Sequence, residues 1–132
     1  MAEVLVVDDD ADVRKMMAAI LDKAGHKVST CASGQETLKE LGIQPNDASV
    51  ELPDLLVLDI MMPKSDGYTV GTAIRNNPRT RGIPILVISA LHEMSRLFTA
   101  TVQVEGFLTK PFSPEDLIVN LAKILDKRKA QA

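Results

Sequence analysis

Four apolar runs in this chain each lead into residues able to do chemistry. VLVV at 4–7 runs into Asp8, Asp9 and Asp10; LLVL at 55–58 into Asp59; ILVI at 85–88 into Ser89; and FLT at 107–109 into Lys110. Carboxylates gathered at one spot repel one another, and such a set persists only where positive charge offsets it. With oxygen ligands alone, and neither His26 nor His92 beside these residues, a hard divalent ion such as Mg²⁺ suits the set better than zinc. Asp9 and Asp59 are the expected direct ligands, Asp8 acts directly or through a water, and the backbone carbonyl of Met61 is a candidate third protein oxygen. Lys110 adds a mobile point charge and Ser89 a hydroxyl donor. A metal, a cation and a neutral donor around one carboxylate suit a phosphoryl group held on Asp59, since phosphoryl transfer needs an in-line nucleophile and neutralised equatorial oxygens.

Bringing these residues together requires that the four runs share one sheet. Val4–Val7, Leu55–Leu58, Ile83–Ile88 and Phe107–Thr109 have strand length, the first apolar enough to be buried on both faces and the second buried likewise; Val28–Ala32 reads as a weaker strand. Between them run helical patterns. Val13, Met16, Met17, Ile20, Leu21 and Ala24 repeat at helical spacing and stop at Gly25, where a C-terminal glycine belongs. Ser33 with Glu36 makes a capping box for a helix through Leu38 and Leu41, and a short helix spans roughly Tyr68–Asn76, closed by Pro78. Leu91–Val104 should supply a fourth helix, short or mobile because Thr99, Thr101, Val102 and Val104 are indifferent helix formers. Ser113, Pro114 and Asp116 open a fifth, bearing Leu117, Ile118, Leu121, Ile124 and Leu125. Strand–helix alternation of this kind implies an α/β domain with a parallel sheet covered on both faces, and a ligand site beyond the carboxyl ends of the strands. The residues singled out above fall at those ends. One stretch breaks the rhythm: Gly42–Leu52 is longer than an ordinary α/β connection and reads as an inserted surface loop.

Each residue taken singly has a mundane reading. Asp10 fits a helix cap, Asp66-Gly67 a turn, Ser89 a cap and Lys110 a surface lysine. The coincidence of acid pair, lone acid, hydroxyl and lysine on the ends of different strands favours the chemical reading. His26 and His92 have no partner at metal spacing and read as solvated, the methionines as core or rim filler, and Cys31 as a small buried or half-buried side chain. One cysteine suits a reducing compartment, and no run approaches the length of a membrane span, so a cytoplasmic protein is expected. Fifteen basic against eighteen acidic residues, a formal charge of −3, offer no footprint for nucleic acid, and Lys127-Arg128-Lys129 reads as a solvated helix end.

As a set, VLVVDDD, PDLLVLDIMMPKSDG, IPILVISA and FLTKPF resemble the receiver domain of two-component response regulators, over essentially the whole chain. The resemblance implies a single doubly wound (βα)5 flavodoxin-like domain with strand order 2-1-3-4-5. It implies Asp59 as phosphoacceptor, and Asp8 and Asp9 as the acidic pair for Mg²⁺, completed by the Met61 carbonyl. Ser89 would be the hydroxyl that follows the phosphoryl group, and Lys110 its salt-bridge partner, ahead of a bond to Pro111 that is usually cis. Phe107 falls on the aromatic switch position. The donor would be a phosphohistidine on a sensor histidine kinase or histidine phosphotransfer protein. The output would be a reshaped surface of helix 4, strand 5 and helix 5, with self-phosphorylation and self-dephosphorylation as the only chemistry. The chain is read as one receiver over 1–132 without an effector domain, acting neither on nucleic acid nor on a membrane.

The sequence departs from the family pattern at the Gly42–Leu52 loop, at TATVQVEGF before strand 5, and at Phe107, which lacks a tyrosine's hydroxyl. Met61 and Leu91, two residues past Asp59 and Ser89, would flank the phosphoryl group with apolar bulk and orient no attacking water, which implies a long-lived acyl phosphate. Three other readings stay open: a degenerate receiver used only for docking, an aspartate-nucleophile phosphohydrolase, and a flavodoxin-like cofactor binder. The phosphohydrolase would want a second carboxylate where Met61 stands. The cofactor binder would suffer repulsion between a flavin phosphate and the acids.

Overall fold

The computed structural model describes residues 2–61, 66–90 and 102–131. Five parallel strands, β1 (Glu3–Val7), β2 (Lys27–Cys31), β3 (Leu55–Asp59), β4 (Ile85–Ser89) and β5 (Gly106–Thr109), form one sheet in the order β2-β1-β3-β4-β5. The described helices are α1 (Ala11–Lys23), α2 (Gly34–Glu40), α3 (Asp66–Asn76) and α4 (Pro114–Gln131). The predicted fourth helix falls mostly on residues 91–101, outside the described set; its last part, 102–104, is irregular. Leu91, His92, Met62 and Met94 lie outside it too. No helix among the described residues is long and apolar enough to cross a membrane.

Alternating strand residues separate two cores. Leu5, Val7, Leu56, Leu58, Ile85 and Val87 face the side carrying Leu41 and α3's Val70 and Ile74. Val4, Val6, Leu55, Val57, Leu86 and Ile88 face Met17 and Leu21 of α1 and Leu117, Leu121 and Ile124 of α4. The three inner strands are buried on both faces, as their unbroken apolar runs require, whereas the edge strand β2 is largely exposed.

Local chemistry sets the helix ends that aim the strand termini. The Asp10 carboxylate accepts from the amides of Asp12 (2.9 Å) and Val13 (3.2 Å), capping α1 as its type suggested. Gly25, at φ +99°, ends α1: its N–H donates to the Asp22 carbonyl and that of His26 to the Leu21 carbonyl. Gly42, at φ +68°, ends α2 the same way, and a Cβ there would sit 2.2 Å from the Asp47 carbonyl oxygen. Ser33 Oγ accepts from Glu36 N–H (3.1 Å), while the Glu36 carboxylate reaches back to the amide of Ala32 rather than to Ser33 itself. Ser113 and Asp116 cap α4 reciprocally, each side chain accepting the other's amide at 3.1 Å.

Some expectations shift. β2 begins one residue earlier than predicted, and α3 starts at Asp66, so Gly67 lies in a helical first turn rather than in a free turn. His26 is not simply solvated: its Nδ1 accepts from Ala2 N–H at 3.2 Å, and burial lowers its pKa from the usual 6.5. Nor is the basic end of α4 merely solvated, since Arg128 donates to the carbonyl of Asp54. Of the methionines, Met17 is buried while Met16 and Met61 are largely exposed. Cys31 is buried, and burial pushes its thiol up to about 11, which makes it inert at neutral pH. A clamp that no spacing rule announced joins α3 to the approach of β5. The Arg75 guanidinium donates to the carbonyls of Gln103, Arg81 and Ile83 and to Glu105, whose carboxylate also accepts the Ile85 amide.

Candidate functional site

The carboxyl ends of β1, β3, β4 and β5 bring Asp8, Asp59, Ser89 and Lys110 to one rim. Asp8 and Asp9 follow β1 directly, Asp59 and Ser89 are the last residues of β3 and β4, and Lys110 follows β5. Asp8 and Ser89 are fully buried and Asp59 is 3% exposed, whereas Asp9 opens to solvent. Carboxylate oxygens from Asp8, Asp9 and Asp59 all lie within 4.8 Å of one another. Lys110 Nζ stands 3.2 Å from Asp8 Oδ2 and 3.4 Å from Asp59 Oδ2, bridging the two buried acids.

Neighbouring backbone orients the acids. Asp8 Oδ1 accepts from Asp10 N–H and Asp59 Oδ1 from Met61 N–H, both at 2.9 Å, so each carboxylate spends one oxygen on the chain and shows the other to Lys110. Arg14 Nη1 donates to the Asp8 carbonyl at 2.8 Å, tying α1 to the strand end. The Lys110 amide donates to the Ser89 carbonyl at 2.8 Å, and the Lys110–Pro111 bond is cis, as the resemblance implied. Under Asp59, Gly67 brings α3 against the chain: a Cβ on it would lie 2.6 Å from Ile60 Cα and 3.1 Å from the Asp59 carbonyl oxygen.

Electrostatics follow from this crowding. Burial, and then the charge of Asp59, raise the Asp8 pKa against the opposing pull of the Asp10 amide and Lys110. Burial draws the Lys110 ammonium down, but Asp59 and Asp8 outweigh it and hold its pKa above the ordinary value. Among the described residues one ammonium bridges two of three clustered carboxylates and leaves their charge under-compensated, and three convergent hard oxygens fit a divalent ion of the Mg²⁺ class.

The structure thus brings Asp8, Asp9, Asp59, Ser89 and Lys110 together. Asp10 turns away as a cap, and its contribution to the rim is the amide it gives Asp8. Met61 is 40% exposed at the mouth, and Phe107 is 44% exposed on β5. Leu91 lies outside the described residues. Sequence reasoning missed Arg14, the Met61 amide and Gly67, because none is titratable at a strand end; the buried position of Gly67 beside Asp59 shows only once the helix is placed.

A family-level sequence model described as "Response regulator receiver domain" matches residues 4–122. Among curated relatives, the probable transcriptional regulator ycf27 of Guillardia theta is 36% identical over 124 residues, 93% of this chain and 45% of that protein. The alkaline phosphatase synthesis transcriptional regulatory protein PhoP of Bacillus subtilis is 32% identical over 98% of this chain and 51% of its own length. The chain therefore spans about half the length of these relatives. Among solved structures, a putative response regulator from Chloroflexus aurantiacus superposes with a TM-score of 0.80 at 35% identity, covering 95% of this chain and 98% of that one. The Vibrio cholerae chemotaxis protein CheY4 gives 0.78 at 31%, covering 94% and 98%. Together with the β2-β1-β3-β4-β5 sheet, these matches place the chain in the family of response regulator receiver domains of two-component systems.

Proposed function

We propose that this receiver domain is a phosphorylation-controlled switch in which Asp59 accepts a phosphoryl group from a phosphohistidine on a sensor histidine kinase or histidine phosphotransfer protein. The observation that carries this reading is the bridging of two buried carboxylates by Lys110 beside a third, exposed one. Asp59 Oδ2, the oxygen turned to Lys110, attacks phosphorus as the P–N bond breaks, and the leaving imidazole takes a proton. Lys110 neutralises one phosphoryl oxygen, and Ser89 offers its hydroxyl to another. Asp8, Asp9, Asp59 and the Met61 carbonyl would hold Mg²⁺, which when bound supplies charge neutralisation of the phosphoryl oxygens.

Movement of the Ser89 hydroxyl toward the phosphoryl group would open space for the outward-lying Phe107 ring to turn in, altering the face built on β5 and α4. The readout is packing alone, because Phe107 has no hydroxyl. Met61, exposed at the mouth, would join Leu91 in shielding the acyl phosphate from water. The opposed requirement of a phosphohydrolase, an acid two residues after the nucleophile, is unmet at Met61.

The test uses phosphoramidate as a P–N donor with Mg²⁺. Wild-type protein should acquire a hydroxylamine-labile phosphoryl group that Asp59→Asn does not. Met61→Asn should shorten the lifetime of that group several-fold by positioning a water. Labelling of Asp59→Asn at the wild-type level contradicts the assignment, and an unchanged lifetime in Met61→Asn contradicts the shielding role.

A further inference from the structure

We propose that the free edge of β2, beside an acidic cleft bordered by the long loop after α2, is a docking site for an extended, positively charged segment of a partner protein, which binds as an added strand. The proposal stands apart from the phosphoacceptor reading and assigns a use to the inserted loop.

β2 closes one side of the sheet. Its Lys27 amide donates to the Ala2 carbonyl, and its Cys31 carbonyl accepts from Asp8, so residues 27, 29 and 31 pair inward. Alternation along a strand then aims the N–H and C=O of Val28 and Thr30 away from the sheet, as a template for another chain. A cleft of about 740 Å³ lies beside this edge, bordered by Thr30, in the size range of ligand clefts. Its lining joins Lys27, Ser29, Thr30 and Cys31 of β2 to Glu3, Val4 and Leu5 of β1, so it opens over the β1–β2 face beside the rim, where alternate side chains of an added strand would enter it. It exists because α2 is only seven residues long and stops at Gly42, after which Pro45, Val50 and Pro53 form an outer wall with apolar surface.

Charge selects the occupant. Glu36, Glu40, Asp47 and Glu51 line the groove against Lys39, while Lys27 is already engaged by Glu3 at 3.5 Å. Asp47 is held ionised by the hydroxyl and amide of Ser49, which lower its pKa. A second copy meeting edge to edge would set these acids against their equivalents, which disfavours self-pairing. A strand with Lys or Arg at alternate positions meets both the backbone template and the acidic walls, the combination of main-chain affinity and side-chain specificity that strand addition uses.

The probe is a capped, fluorescein-labelled peptide alternating Lys and Val, titrated into the intact chain with Mg²⁺ present so that the Asp8–Asp9–Asp59 cluster does not compete. Saturable binding is expected, with slowed amide exchange at Val28 and Thr30. Glu40→Lys combined with Glu51→Lys, both at exposed positions outside the core, should weaken binding roughly ten-fold or more. The same peptide N-methylated at every backbone amide keeps its charge, can donate to a strand from neither edge, and should not bind. Binding that survives N-methylation, that tolerates the charge reversal, or that leaves the Val28 and Thr30 amides unaltered overturns the proposal. So does dimerisation of the unliganded protein through this edge.

Discussion

At the scale of single residues, the rim is defined by what burial does to charge. Asp8 is buried beside Asp59, and Lys110 is shared between them, so one carboxylate is always under-compensated. Asp8→Asn keeps the oxygen that accepts from the Asp10 amide and removes the charge. We therefore expect it to stabilise the protein in EDTA by about 1–2 kcal/mol, a rise of about 3–8 °C in melting temperature, and to abolish any further gain from Mg²⁺. A melting temperature below wild type in EDTA contradicts this picture of the rim. His26 gives a separate pH signature. Burial lowers its folded pKa below 6.5, so the unfolded chain binds the extra proton, and the stability tied to His26 is present above about pH 6.5 and lost as pH falls. His26→Asn, which can still accept from Ala2, should flatten the fall in melting temperature between neutral and acidic pH; an unaltered slope removes His26 from the account.

At the scale of elements, the site depends on how closely α3 approaches the end of β3. Gly67 allows that approach, with room for no Cβ against Ile60 and the Asp59 carbonyl. Gly67→Ala should cost about 1–3 kcal/mol through overpacking and should also impair phosphorylation by displacing the Asp59–Met61 segment. Gly82→Ala, which meets nothing within 4 Å, is the control and should stay within about 0.5 kcal/mol in urea unfolding. Equal costs at the two positions refute the packing argument. Elements were legible in the sequence wherever one local rule dominated: the buried strands as continuous apolar runs, α1 and α4 through Asp10, Gly25, Ser113 and Asp116. Long-range geometry was not legible. The four hydrogen bonds of Arg75 and the contact of Gly67 with Ile60 join segments whose adjacency only the folded sheet creates.

At the scale of the molecule, strand–helix alternation sufficed to predict a parallel sheet with its chemistry at the carboxyl rim, and Asp8, Asp9, Asp59, Ser89 and Lys110 do converge there. The orientation of each carboxylate, one oxygen to a backbone amide and one to Lys110, could not be read from spacing, since it depends on turn geometry after each strand. Nor could the groove beside β2, which arises from the shortness of α2 as much as from the loop that follows it. The account rests on the claim that these acids are held together so that, with a hard cation among them, Asp59 accepts phosphate. Intact-mass spectrometry after incubation with acetyl phosphate tests it most directly. One added phosphoryl group is expected in Mg²⁺, located on the peptide containing Asp59 and absent in EDTA; addition that is independent of Mg²⁺, or that maps elsewhere, rules out Asp59 as the cation-assisted acceptor.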